Sequence, residues 1–97
     1  MTDELKLIRD TERASRAAQY LNDELLTEAF TTLEQAYIER WRGSELVDDK
    51  GREKLFIAIN IIGKVKDHLT SLISDGKIAA IQLDQLAELA QRQKRFA

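Results

Sequence analysis

The chain has no cysteine and no proline, and only four glycines and one histidine among its 97 residues. Without cysteine there is no disulfide to staple a small fold and no thiolate to hold a metal. A single imidazole removes most of the ligand and nucleophile sets on which enzyme sites are built. Missing proline and scarce glycine argue against an all-β domain, whose regularly spaced turns draw on both. The longest apolar run, Leu55 to Ile59, ends at Asn60, far short of the roughly 20 residues that span a bilayer. The first residues, with Asp3 and Glu4 and no apolar stretch, read neither as a secretory leader nor as an arginine-rich transit peptide, so the expected location is the cytoplasm and no membrane is expected.

What is present is helical periodicity. Turn-forming residues gather at Asn22-Asp23, from Gly43 to Gly51, and at Ser74-Asp75-Gly76. They divide the chain into helices expected at about 2–21, 23–42, 49–74 and 77–95, followed by a basic tail over 92–97, all within a single domain. The boundary at Asn22-Asp23 is open at this stage, because neither residue forbids a helix running through it. The first segment carries a thin apolar stripe (Leu5, Ile8, Ala14, Ala17, Ala18, Leu21). The second places Leu26, Phe30, Leu33, Tyr37 and Trp41 at intervals of three and four.

In the third segment Leu55, Ala58, Ile62, Val65, Leu69 and Leu72 alternate by three and four, with Phe56, Ile59 and Ile73 as a second strip and Ile57 and Ile61 as a third. That arc is wider than one neighbouring helix covers. Gly63 inside it reads either as tolerated drift or as a close helix crossing. Gly76 reads as a C-terminal cap. In the fourth segment Ala79, Leu83, Leu86, Ala87 and Ala90 share a face suited to a lid packed on the other helices. The fold class expected is all-α, a three- or four-helix antiparallel bundle that forms homo-oligomers through its third segment.

Charge is unevenly placed. Residues 1–50 hold 7 basic and 12 acidic side chains and residues 51–97 hold 8 and 5, so the halves carry −5 and +3. From Asp23 to Asp49 eight acids meet only Arg40 and Arg42, whereas the basic end is Arg92, Lys94 and Arg95 beside Phe96. With a pI near 5.4 the surface lacks the basic stripe that nucleic acid requires, leaving weak contact through the tail.

No catalytic constellation emerges. His68 stands beside Asp67 with Lys64 and Leu72 four residues away, a setting more typical of a polar or interface histidine than of a general base. Glu24/Glu28 and Asp84/Glu88 have the spacing used in di-metal bundles, but the chain contains no Glu-x-x-His. The glycines are isolated, so no phosphate-cradling loop is present. No catalytic residue, cofactor or metal is expected.

The most distinctive pattern surrounds the central turn: Trp41-Arg42-Gly43-Ser44, then Asp48-Asp49-Lys50-Gly51-Arg52-Glu53-Lys54-Leu55-Phe56, and the helix that closes on Gly76-Lys77. Together with Asn22-Asp23-Glu24-Leu25-Leu26-Thr27-Glu28-Ala29-Phe30, it resembles a group of small helical proteins encoded by tailed bacteriophages and prophages, often near virion structural genes. The resemblance covers about residues 20–80 and carries over no functional residues. From the residues themselves, Arg42 complements the C-terminal end of one helix dipole, and Asp48 and Asp49 the N-terminal end of the next. Trp41, Arg52 and Glu53 read either as shaping this corner or as contacting a partner.

Two functions are expected. The first is a non-enzymatic assembly protein, a virion component, scaffold-like factor or packaging accessory, located in the host cytoplasm and in the virion. The second is a cytoplasmic regulator that inhibits a host protein through the acidic second helix. Candidate interaction residues are Trp41, Arg42, Arg52, Glu53, Phe56, Ile59, Ile61, Arg92, Lys94 and Arg95. Partners are expected among copies of the chain and other phage or host proteins. Three tail cations neutralise about three phosphates, so retardation of double-stranded DNA should show a log–log salt slope no steeper than about −3 and vanish when residues 92–97 are removed. Tight binding at physiological salt that survives the truncation would contradict this.

Overall fold

The computed structural model describes the backbone of residues 3–95 and the side chains of residues 3–94. The expected helix start at Thr2 and the Phe96 end of the basic tail lie outside the described residues. The described chain is all-α, with α1 at Glu4–Leu21, α2 at Glu24–Arg42 and α3 at Asp49–Arg95, and no strand among the described residues.

Asn22-Asp23 is a real break. Asp23 is extended (φ −74°, ψ 117°), and its carboxylate accepts the Leu26 N–H at 2.8 Å. The Thr27 hydroxyl donates to the Leu21 carbonyl at 3.2 Å. Side chains thus satisfy backbone groups that helix ends leave open, which makes two short helices as acceptable as one long one. At the start of α3 the Asp48 carboxylate accepts the Gly51 N–H at 3.1 Å. A Cβ at residue 51 would press on that carboxylate, which would have to shift to make room.

The third expected break does not occur. Helix α3 runs through Ser74-Asp75-Gly76 without interruption, and Gly76 is not left-handed, so it is not a cap. The segments expected at 49–74 and 77–95 are one element. Gly76 is buried, and a Cβ on it would collide with the Ala14 Cβ and lie 3.2 Å from the Asp10 carbonyl oxygen. Glycine is present here because α1 crosses too closely for any side chain. The close crossing considered for Gly63 is therefore found at Gly76, while a Cβ at Gly63 would meet nothing.

Contacts fall into two compact units, Met1–Gln19 with Leu69–Ala97, and Tyr20–His68. Length alone suggests one core; each unit instead has its own small packing seam. In the first, α1 runs antiparallel to the later part of α3, with Asp10 and Ala14 beside Gly76. Leu7, Ala17 and Ala79 are buried there. Residues 84–94 of α3 are exposed throughout. Leu86, Ala87 and Ala90, expected to pack as a lid, face solvent because α1 offers no further turn to cover them.

In the second unit α2 and the first part of α3 form an antiparallel hairpin, tied near one end by Arg52 and Trp41 and further along by Lys66 and Glu34. Ile62 is buried, and Leu26, Phe30, Tyr37, Trp41, Leu55, Ala58 and Ile59 are half-buried, while α2 buries no residue fully. Leu33 and Val65, expected in the seams, are 48% and 42% exposed. A strict alternation of three and four drifts by about 20° per heptad on a straight helix, which carries Val65 off the seam. Lys66 takes its place, 2.9 Å from Glu34. With both side chains about one-third exposed, that pair contributes at most ~1 kcal/mol.

Gly63 and Gly76 should respond oppositely to substitution. Gly63→Ala should stabilise the chain by about 1 kcal/mol through helix propensity, whereas Gly76→Ala should destabilise it by about 1–3 kcal/mol through overpacking against Ala14. Urea unfolding followed by circular dichroism checks both, and equal shifts of one sign would contradict the placement of the crossing.

Candidate interaction surface

The corner between α2 and α3 is held by one side chain. The Arg52 guanidinium donates from Nη1 to the Ser44 Oγ at 2.7 Å, the Ser44 carbonyl at 3.3 Å and the Trp41 carbonyl at 3.4 Å. Its Cζ sits 4.7 Å from the centre of the Trp41 ring. The Ser44 hydroxyl also donates to the Trp41 carbonyl at 2.6 Å. A planar, permanently charged donor group thereby caps the carbonyl end of α2, where the helix dipole is negative, while stacking on the last aromatic ring of that helix. Gly43 closes α2 in ordinary right-handed geometry (φ −84°), its N–H donating to the Glu39 carbonyl at 3.0 Å. Of the residues expected to shape this corner, Trp41 and Arg52 meet, whereas Arg42 and Glu53 are exposed beside them.

The expected contact residues on α3 separate. Ile59 is half-buried, but Phe56 and Ile61 are 59% and 54% exposed, on opposite flanks of the stripe that faces α2. Arg92 and Lys94 are exposed on the last turns of α3, remote in sequence from the corner. Arg95 lies in the helix, and its side chain is outside the described residues.

Sequence reasoning passed over other residues of this surface. Leu25 is widely exposed on α2, and Leu46 and Val47, on the loop joining α2 and α3, are the most exposed large apolar side chains among the described residues. The available signal was an adjacent apolar pair between Gly43 and Asp48 with no helical neighbours to pack against.

His68 is exposed, as are both members of Glu24/Glu28 and of Asp84/Glu88. Among the described residues no group of three or more His, Asp or Glu is arranged to hold a metal, and no described helix is long and apolar enough to cross a membrane. Grooves are open and lie on the surface. One, between α1 and the later part of α3, is lined by Asp3, Lys6, Asp10, Asp75, Ile78 and Gln82 among others. Another, behind the corner, includes Arg40, Asp48 and Lys54. What the second unit offers chemically is an apolar, charge-edged helix surface with a rigid corner. Comparison with known proteins finds no matching family model, no matching curated protein and no matching solved structure.

Arg52→Ala should destabilise the chain by about 1–3 kcal/mol, since it removes charged hydrogen bonds and a cation–π contact together. Arg52→Lys should recover less than half of that, because an ammonium lacks the planar fork. Chemical denaturation of the three proteins checks this, and full recovery by lysine would reduce Arg52 to a point charge.

Proposed function

We infer that this chain is a non-enzymatic helical interaction protein that works by docking exposed helix faces against partner chains, and that it acts in assembly. One observation carries the reading. Helix α2 buries no residue completely, and Ile57, Ile61 and Val65, on one flank of the neighbouring part of α3, remain 42–54% exposed. Clustered apolar exposure of this kind is characteristic of surfaces that are covered in use. An antiparallel bundle is then completed between chains, by copies of this one or by other proteins.

The likeness of residues 20–80 to small helical proteins of tailed phages supports a setting in the virion or its assembly, as a structural component, scaffold-like factor or packaging accessory. Immunoblotting purified virions, their assembly precursors and the infected-cell lysate tests this. The chain should be present in virions or precursors at a fixed copy number. Its presence in the soluble lysate alone would overturn the assembly role and favour a regulator that works through the acidic α2.

A further inference from the structure

We propose that the α2–α3 hairpin pairs with a second copy of itself, on a two-fold axis parallel to the helices, so that α2 of each copy lies on α3 of the other. This deepens the reading above and rests on it.

An α-helix turns by about 100° per residue. With each helix referred to the side that faces its hairpin neighbour, around Phe30 on α2 and Ile62 on α3, two exposed strips lie about a quarter turn away in the same rotational sense. One is Leu25 and Leu33, with Ala29 and Ala36 between and after them; the other is Ile57, Ile61 and Val65. In an antiparallel pair, equal rotations carry both strips to one side of the hairpin. That side presents five large apolar residues, each 42–76% exposed.

Charge selects the occupant. Helix α2 holds four glutamates against Arg40 and Arg42, a net −2, whereas residues 49–68 of α3 hold five basic and three acidic side chains, a net +2. Glu28 and Glu39 stand on the outer edge of α2, and Lys50 and Lys64 on the outer edge of α3; all four are exposed. The face is therefore apolar in the middle, acidic along one edge and net basic along the other, where Lys50 and Lys64 outnumber Glu53. Arg40 and Lys54 fall on its corner end, near Glu39 and Glu53, which places the centre of the contact at Leu33, Ile61 and Val65.

Two copies joined face to face on a two-fold axis have two arrangements. With the axis across the helices, α2 meets α2 and α3 meets α3, so like charges oppose each other. With the axis along them, each acidic edge meets a basic edge, and every helix gains an antiparallel neighbour as in a four-helix bundle. Like-charge opposition disfavours the first arrangement. The hairpin thus carries both halves of its own complement, which a surface made for an unrelated partner has no reason to do.

Sedimentation equilibrium of the full chain at low salt tests the pairing. The wild type should be dimeric. Ile61→Glu should be monomeric with unchanged helix content by circular dichroism, since Ile61 is already 54% exposed within one chain. Glu28→Lys and Lys64→Glu should each weaken association by about threefold to fivefold, as two surface charge pairs per dimer turn repulsive, and the double variant should restore it. A monomer at every concentration would overturn the proposal yet leave docking to other proteins standing, because particle composition decides that separately. A dimer indifferent to the single reversals would overturn the axis and the role of the charged edges.

Discussion

A helix with one neighbour buries one stripe, and the rest of its circumference meets water. Everything else in this chain depends on that constraint. Residues 49–68 of α3 carry apolar side chains around far more than one stripe, and within their unit they have α2 alone to pack on. The packing therefore buries Ile62 to 9% exposure, holds Leu55, Ala58 and Ile59 at intermediate exposure, and leaves Ile57, Ile61 and Val65 outside. Small domains bury a low fraction of their surface in any case. Here the unburied remainder is arranged in strips, which turns a deficit of the monomer into a surface with a definite shape.

Such a surface is useful only if the helices that carry it hold their relative rotation. The corner supplies that. Arg52 ties the carbonyl end of α2 to the first turns of α3 through Ser44 and Trp41, and Asp48 caps the start of α3 at Gly51. The Lys66–Glu34 pair adds a second tie further along the hairpin. The Arg52 contacts and the Lys66–Glu34 pair each depend on the rotation of both helices, so together they fix which residues face outward. In the other unit the corresponding constraint is steric: Gly76 admits α1 only where its residue 14 is also small.

Much of this was legible in the residues. The absence of proline, the spacing of three and four, and the polar breaks at Asn22-Asp23 and Gly43–Gly51 lead to all-helical structure and to both breaks between its three helices. The capping role of Asp48 and the helix-closing position of Trp41 follow from dipole and capping chemistry. Gly76 was misread because glycine after Ser-Asp serves equally as a cap and as a close-approach site. Only the neighbour decides between them, and that neighbour, Ala14, lies far away in sequence. Leu33 and Val65 were misplaced for a related reason: a heptad-like alternation tracks a supercoiled seam, and a straighter helix rotates such residues outward. The contact of Arg52 with Ser44 was open to inference only as a corner pairing without a named acceptor. The outward strips became visible once the exposed sides of α2 and α3 were both known.

If the exposed strips of α2 and α3 are covered by another copy, as proposed above, association and stability are one equilibrium. The most direct measurement is the thermal midpoint of the full chain over about a hundredfold range of protein concentration. Mass action stabilises a folded dimer as concentration rises, so with this pairing the midpoint climbs steadily across the range. A midpoint independent of concentration, together with a cooperative transition, would show that the folded monomer needs no second copy and would overturn the pairing.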